Sequence, residues 1–202
     1  MSVTFALHQE ATQYKRQDEV GLWTVDRFYE AAAAGGFVDP SRLELLHGRI
    51  VEKMPSGPLH TTVSFDVAEN LRDVLATRYL IREERAIHIA FDSELIPDIA
   101  LVRGRSSAYR ERHPDPENVA LLIEVAVTSV DYDLGEKALL YAQAGIGDYW
   151  VVLAEAQAVV VHRQPAPEGY QDVTRLAGSD TLAPLAAPEA VWTVRALLGR
   201  ED

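Results

Sequence analysis

Cysteine is absent from the chain, which excludes disulfide bonds, thiol chemistry and cysteine-ligated zinc sites. No stretch approaches the roughly 18 apolar residues of a membrane-spanning helix, and the N-terminus lacks the basic start and apolar core of a secretory signal. The glycine motifs GxxxxGK and GxGxxG and the zinc motif HExxH are also missing. We therefore expect a cytoplasmic protein with no membrane association, nucleotide cofactor or zinc site.

Positive charge is scarce as well. The net charge is −12, and lysine occurs only at Lys15, Lys53 and Lys137. A general nucleic-acid binder normally carries a basic surface, so an activity on nucleic acid would need a local basic strip or metal ions. Four arginines in the loop at residues 103–117 either form such a strip or, as we favour, balance the acidic residues of a solvated loop. They are Arg103, Arg105, Arg110 and Arg112.

The remaining sequence indicates one α/β domain. Residues 1–20 are polar and predicted to form an N-terminal arm, whereas residues 21–202 contain no linker or repeat that would divide them. The spacing of apolar residues predicts both helices and strands. The main elements are a helix capped by Thr24, a hairpin turning at His47-Gly48, a helix over residues 59–78, a strand over residues 95–102, and a strand pair at residues 148–153 and 159–163.

One predicted strand carries a charge in an otherwise apolar run. Residues 119–127 are nearly all apolar and rich in β-branched side chains, which predicts a strand covered on both faces. Glu124 interrupts this run, on the face that strand alternation assigns to Ala120, Leu122 and Ala126. A buried carboxylate is costly unless it is paired, hydrogen-bonded or bound to a cation. Glu124 therefore needs a partner.

The helix after this strand supplies one candidate partner. On an α-helical projection, Lys137 lies within about 60° of Leu134 and Tyr141, so its side chain leans toward the sheet. A lysine in this place either extends its amine to solvent, forms a simple ion pair with Glu124, or serves chemistry beside it. These readings remain open from the residues alone.

A second carboxylate can join Glu124. Asp98 follows Pro97 within the strand predicted over residues 95–102, where it acts either as a turn or cap residue or as part of a site. If this strand neighbours the one that carries Glu124, the two carboxylates converge. Two carboxylates with a backbone carbonyl and water suit a hard divalent cation such as Mg²⁺, and a nearby ammonium can orient an acidified water. This set of groups suits the hydrolysis of a phosphodiester.

The order of these segments resembles the Uma-type putative restriction endonuclease family, a branch of the PD-(D/E)XK nuclease superfamily. The resemblance rests on Pro97-Asp98, on IEVAV at residues 123–127, and on YDLGEKALLYAQAGIGDYWVV at residues 132–152. It extends to the WTVDRFYE helix, the LELLHGRIVE hairpin and a histidine at position 60, and covers roughly residues 21–165. It implies a restriction-endonuclease-like α/β fold, a single domain with a mixed central β-sheet flanked by helices.

Site residues follow from the same resemblance. It implies that Asp98, Glu124 and the main-chain carbonyl of Val125 bind Mg²⁺ or Mn²⁺. The wider superfamily carries a lysine two positions after the acid, where this chain has Ala126. The resemblance assigns that role to Lys137 of the following helix.

Two further residues belong to the implied site. Glu44 matches a hairpin glutamate of the family and is expected to bind the metal or to support a ligand. His60, at the start of the long helix, either lines the site or caps and packs at the helix start.

Two functional hypotheses follow. The first is a metal-dependent phosphodiester hydrolase, an endonuclease acting on DNA, in which Lys137 positions the attacking water. The second is a catalytically inactive nuclease-fold module for association with protein or DNA, in which Glu124 and Lys137 form a structural ion pair. Related nucleases often work as dimers, so a homodimer through the apolar strands near Tyr149-Trp150 and residues 159–161 is a further expectation.

Overall fold

The computed structural model describes residues 22–199 of the 202-residue chain. The N-terminal arm expected at residues 1–20 lies outside the described residues. Among the described residues, no helix is long and apolar enough to cross a membrane.

The described residues form helices and strands in a mixed order. The helices are α1 (Val25–Ala33), α2 (Pro58–Leu75), α3 and α4 (Val194–Leu197), where α3 runs through three consecutive segments, Val130–Tyr132, a π-helical turn at Asp133–Lys137, and Ala138–Gln143. The strands are β1 (Leu43–Leu46), β2 (Arg49–Glu52), β3 (Leu80–Glu83), β4 (Ile87–Ala90), β5 (Ser93–Leu95), β6 (Ile99–Val102), β7 (Val119–Ala126), β8 (Asp148–Leu153), β9 (Ala158–Ala166), β10 (Gly169–Ala177), β11 (Thr181–Leu182) and β12 (Trp192–Thr193).

The central sheet has six strands in the order β10-β9-β8-β7-β6-β3. Strands β7 and β8 are parallel and α3 connects them, whereas the other neighbours in this sheet are antiparallel. A second sheet has the order β2-β1-β5-β4, and β11 pairs with β12. The predicted fold class, a mixed central sheet flanked by helices, is therefore confirmed.

Both faces of the central sheet are covered, as the apolar sequence of β7 predicts. Helix α2 packs one face through Val67 and Leu71, which are fully buried together with β7 residues such as Ile123. Helix α3 and the smaller sheet cover the opposite face through residues such as Tyr141 and Leu95. All eight residues of β7 are buried, so a polar group on this strand has no access to bulk water.

Local signals at two predicted element ends are confirmed. The hydroxyl of Thr24 accepts a hydrogen bond from the Arg27 backbone N–H at 3.3 Å and caps α1. The β1–β2 hairpin turns at His47 and Gly48, both with positive φ, as a tight hairpin turn requires.

The single strand predicted over residues 95–102 is wrong, because the chain forms two strands that belong to different sheets. Strand β5 ends at Leu95 in the smaller sheet, and β6 begins at Ile99 in the central sheet. Pro97 lies between them, where its missing N–H cannot support a continuous ladder. The break places Asp98 at the junction of the two sheets.

The predicted face of Ala120 is also wrong. Ala120 packs in the core on the α2 side, whereas Leu122 and Ala126 pack on the α3 side with Glu124's partner Tyr141. The register of β6 against β7 shifts between Leu101 and Val102. A bulge of this kind breaks the strict alternation of side chains that the sequence argument assumed.

The surface proposed for a homodimer is not exposed. Tyr149, Trp150 and Val159 are fully buried within the domain, and Val160 and Val161 are nearly so. These strands are apolar because they lie in the middle of the sheet. They leave no apolar surface for a second subunit.

Candidate active site

Asp98 and Glu124 meet where β6 and β7 begin to separate. The antiparallel register pairs Ile99 with Ile123, so Asp98 stands opposite Glu124 one position beyond the last pair. The Asp98 backbone nitrogen lies 3.4 Å from Glu124 Oε2, and the Val125 N–H donates to Asp98 Oδ2 at 2.7 Å. The strands are neighbours, and both carboxylates are buried, with 3% and 2% exposure.

Lys137 lies on the α3 side of this pair. Its Nζ is 3.0 Å from Glu124 Oε1, 3.3 Å from Glu44 Oε1 and 3.9 Å from Asp133 Oδ1. The hydroxyl of Tyr141 donates to the same Glu124 oxygen at 3.1 Å. Hydrogen bonds thereby join Asp98, Glu124, Lys137 and Glu44 in one buried network.

Glu44 belongs to this network through the hairpin. It lies on β1, is 2% exposed, and its Oε1 accepts the Ile96 backbone N–H at 2.8 Å. This bond satisfies a backbone donor at the break between β5 and β6. Glu44 therefore connects the amine of Lys137 to the segment that carries Asp98.

The amine of Lys53 holds the other side of Asp98, and sequence reasoning missed it. Lys53 Nζ lies 2.7 Å from Asp98 Oδ1 and 3.1 Å from the Ile96 carbonyl oxygen. Lys53 directly follows β2 and is one of only three lysines in the chain. The scarcity of lysine is the signal in the sequence that singles out Lys53.

His60 completes the contacts of Asp98. Its Nε2 lies 3.0 Å from Asp98 Oδ2, while its Nδ1 is buried without a hydrogen-bond partner. His60 lies near the N-terminus of α2, and this contact is the arrangement expected if it lines the site. Asp98 is thus contacted by an amine, an imidazole and the Val125 N–H.

A cavity of about 560 Å³ opens beside Asp98, Lys53 and His60. Its remaining wall comes from the loop before α2, the outer face of α2 and the turn after β3; Arg42, Arg85, Met54 and Phe65 are among the residues that line it. The volume lies within the range of pockets that hold small ligands. Asp98 is the carboxylate of the buried pair that borders this cavity.

The π-helical turn of α3 carries both Asp133 and Lys137 toward the sheet. Such a turn closes over five residues instead of four, which changes the direction of the side chains before it relative to those after it. Tyr132, at the start of this turn, lies with its ring centroid 5.4 Å from the Lys137 amine. Turns of this kind are frequent at functional sites.

The network leaves its groups in unequal protonation states. Burial raises the pKa of Glu124 to about 8, against the attraction of Lys137. Burial also opposes ionisation of Asp98, but the hydrogen bond with His60 and the charge of Lys53 hold the pKa of Asp98 below its ordinary value. Burial acts against the charged form of Lys137 too, yet the surrounding carboxylates, led by Glu124, raise its pKa well above the ordinary value. At neutral pH the site therefore contains the carboxylate of Asp98, the ammonium of Lys137 and a proton on Glu124, which a bound cation would replace.

The donor chemistry fits a hard divalent cation. The network contains the carboxylates of Glu44, Asp98 and Glu124, and oxygen is the donor that Mg²⁺ and Mn²⁺ prefer. Among residues 22–199, however, no three His, Asp or Glu side chains stand ready around one point. The amines of Lys53 and Lys137 donate hydrogen bonds to these carboxylate oxygens, so in this conformation ammonium groups stand where a cation would bind.

Two of the four arginines in the loop at residues 103–117 have partners close by in the chain. The guanidinium of Arg103 is bonded to the carbonyl oxygens of Glu117 and Val119, and Arg112 pairs with Asp115. The pair of Arg112 with Asp115 is a charge balanced within the loop, as the favoured interpretation expects, whereas Arg103 is held by backbone oxygens.

Comparisons with known proteins agree with this architecture. A family model described as Uma2, putative restriction endonuclease, matches residues 26–196. The fold is similar to a crystal structure described as a putative nuclease belonging to DUF820 from Anabaena variabilis ATCC 29413, with a TM-score of 0.68 and 19% identity over 88% of this chain and 98% of that chain. A comparison with curated proteins found no match. Because the family model spans most of the sequence, the protein belongs to the Uma2 family of putative restriction endonucleases.

Proposed function

We propose that this protein is a metal-dependent phosphodiester hydrolase, an endonuclease that cuts DNA with Mg²⁺ or Mn²⁺. One observation carries the proposal: Asp98 and Glu124 are buried opposite each other on neighbouring strands, with an amine beside each of them. A purely structural sheet gains little from two buried carboxylates that both need a counter-charge. A site for a cation and a phosphate gives the arrangement a use.

The proposed roles follow the contacts of each residue. Asp98, Glu124 and the carbonyl of Val125 would hold the cation, and Glu44 would serve as a further ligand or orient the others. Lys137 would keep Glu124 and Glu44 in place through its hydrogen bonds. The sequence-based hypothesis also has Lys137 position the attacking water, which requires its amine to leave at least one of these carboxylates.

Hydrolysis of the phosphodiester needs no further co-reactant. Water forms one new P–O bond, the bond to the leaving oxygen breaks, and a proton from the water ends on that oxygen. A divalent cation supplies charge neutralisation at the phosphate and lowers the pKa of the water. The chain's own groups orient the reactants, since a well-placed reacting pair gains a large entropic advantage.

Plasmid nicking tests the proposal. Wild-type protein with Mg²⁺ or Mn²⁺ is expected to convert supercoiled DNA to nicked or linear forms, and Asp98→Asn and Glu124→Gln are expected to abolish this. Asp148→Asn is the matched control, because Asp148 is equally buried but is held by Trp150 and Arg163 instead of the proposed site. Equal nicking by wild type and both site variants would identify a contaminating nuclease and refute the proposal.

The second candidate is a non-catalytic module for association with protein or DNA. It is favoured by the existing Glu124–Lys137 ion pair and by the absence, within residues 22–199, of a ready-made group of three cation ligands. Calorimetric titration with Mn²⁺ separates the two functions. Binding to wild type that is lost in Glu124→Ala excludes the structural module, whereas no binding at millimolar Mn²⁺ favours it.

A homodimer is part of the nuclease proposal, because related nucleases often work as dimers. Its interface must lie outside the buried strands β8 and β9. Light scattering of the purified protein, with and without DNA, measures the mass directly. A monomer under both conditions would remove the dimer and leave the hydrolase untouched.

A further inference from the structure

We propose that Lys53 is the catalytic amine that contacts the phosphate of the substrate, while Lys137 has a positioning role. This assignment rests on the proposed function, and it differs from the role that the family resemblance gives to Lys137. It follows from which of the two amines a ligand can reach.

Lys53 stands at the wall of the cavity. Its side chain is 18% exposed, and together with Asp98 and His60 it borders the opening of about 560 Å³. An ammonium has three N–H donors. Among residues 22–199, two acceptors lie within hydrogen-bond distance, Asp98 Oδ1 and the Ile96 carbonyl, while the nearest further anion, Glu84 Oε1, is 3.9 Å away. One donor therefore remains for a ligand.

Lys137 is placed differently. Its side chain is only 4% exposed, and it is not among the residues that line the cavity. Its amine lies among Glu124, Glu44 and Asp133, with the ring of Tyr132 close by. To touch a phosphate it would have to leave these buried carboxylates without a counter-charge, which is costly.

The surroundings of Lys53 suit a phosphodiester with its attached nucleotides. Arg42 and Arg85 line the same cavity, and the side chain of Arg42 donates to the Lys53 carbonyl oxygen at 2.8 Å. Phe65 and Met54 also line it and are 58% and 76% exposed, which leaves apolar surface for a base or sugar. Three cationic side chains and an exposed aromatic ring thus face one opening, beside the acidic side chains of Asp98, Glu83 and Glu84.

In the proposed complex, Lys53 donates a hydrogen bond to a non-bridging phosphate oxygen and keeps its bond to Asp98. No proton is transferred by the lysine. The ammonium stabilises the negative charge that develops on these oxygens while water adds and the P–O bond breaks. A donor aimed at developing charge contributes about 10²–10³-fold to kcat.

Lys53→Met and Lys137→Met separate the two roles, with Arg78→Met as the control that removes one exposed positive charge paired with Glu189. Binding of a fluorescent single-stranded oligonucleotide is measured in EDTA at low ionic strength, where neither cation binding nor cleavage contributes. Lys53→Met is expected to weaken this binding by roughly tenfold to a hundredfold, the value of one charged hydrogen bond. Lys137→Met and Arg78→Met are expected to bind as wild type does.

Steady-state nicking with Mg²⁺ provides the second readout. Lys53→Met is expected to lower kcat by about 10²–10³-fold while it still binds Mn²⁺ in a calorimeter, since it retains Asp98 and Glu124. In the binding assay, Lys53→Arg keeps the positive charge and is expected to bind the oligonucleotide as wild type does. Weak binding by Lys53→Met beside normal binding by Lys53→Arg would show that the loss comes from the missing charge.

Different results would refute the role assigned to Lys53 and the hydrolase proposal. Unchanged oligonucleotide binding by Lys53→Met, or weaker binding by Lys137→Met alone, overturns the role of Lys53. If wild type never nicks DNA, the hydrolase proposal fails, and the metal-free comparison still decides whether Lys53 contacts phosphate.

Discussion

Replacement of Lys137 by methionine tests the buried network most directly. The substitution keeps a similar apolar stem and removes the amine that lies between Glu124 Oε1 and Glu44 Oε1 at 3.0 and 3.3 Å. Both glutamates are 2% exposed, so water cannot replace the lost charge. Because the raised pKa of Glu124 already keeps that carboxyl largely protonated at neutral pH, the carboxylate that loses its counter-charge in the variant is that of Glu44, which must become neutral by taking up a proton.

The cost of that proton gives the magnitude. An ordinary glutamate titrates at 4.5. Holding one protonated at pH 7 costs about 1.4 kcal/mol for each pH unit above that value, or about 3.4 kcal/mol in total. This agrees with the roughly 3–5 kcal/mol that the loss of one partner of a buried ion pair costs, out of a total stability of about 5–15 kcal/mol.

The same reasoning fixes the pH dependence. In the variant, the folded-state pKa of the unpaired carboxyl is raised above its unfolded value, so the folded state holds a proton that the unfolded state releases above pH 4.5. The variant therefore loses stability relative to wild type as pH rises from 5 to 7. The difference in the free energy of unfolding between wild type and Lys137→Met is expected to shrink by about 2.7 kcal/mol when the pH falls from 7 to 5.

Urea unfolding at both pH values, followed by tryptophan fluorescence, measures these differences. Arg49→Met is the matched control, because Arg49 forms an exposed ion pair with Glu136, the neighbour of Lys137 on α3. Exposed pairs contribute roughly 0–1 kcal/mol. A penalty for Lys137→Met below about 1 kcal/mol at pH 7, or one that is equal at pH 5, would refute the argument that its amine compensates buried carboxylates.

Other consequences can be measured separately. Because burial raises the pKa of Glu124 to about 8, a cation must displace its proton at lower pH, so Mn²⁺ affinity by calorimetry should rise by up to about tenfold per pH unit from pH 6 to 8; constant affinity would contradict this. Burial lowers the pKa of His162, so below pH 6.5 the unfolded chain takes up a proton at this residue more readily than the folded chain does, and wild type loses stability as the pH falls. His162→Phe should reduce this loss between pH 6.5 and 5 by up to about 2 kcal/mol, measured by urea unfolding. Gly48 has φ of +69°, and a Cβ there would lie 2.9 Å from the Leu22 Cβ, whereas at Gly145 φ is also positive but no described atom lies within 4 Å of a Cβ. Gly48→Ala should therefore lower the free energy of unfolding more than Gly145→Ala does. Equal losses, each about 1 kcal/mol, would show that only the backbone angle matters.

The features that sequence predicted are those in which one local pattern determines the outcome. The apolar run around Glu124 predicts a doubly covered strand because it is short and rich in β-branched residues, and all eight residues of β7 are buried. Thr24 predicts its helix start because its hydroxyl satisfies a free backbone donor. The inward direction of Lys137 follows from helical periodicity, and it is buried in the structure.

The features that sequence did not predict depend on contacts between distant segments. The break at Pro97 separates two sheets, which neither strand's composition reveals. The π-helical turn at Asp133–Lys137 has no residue signature of its own. Lys53 reaches Asp98 across 45 positions of sequence, and only the packing of the β1–β2 hairpin against that break brings the two together.

The charges of the site bear on how so acidic a chain would attract the polyanionic substrate that we propose for it. Asp98, Glu124, Glu44 and Asp133 supply four carboxylates against the two amines of Lys53 and Lys137, so full ionisation would leave the network negative. The raised pKa of Glu124 relieves this imbalance with a proton. A divalent cation in place of that proton would add one positive charge to the network, while the acidic remainder of a chain with net charge −12 continues to repel phosphates. Attraction would then be strongest in the cavity beside Lys53, so the cation would strengthen the phosphate binding that Lys53 provides without it.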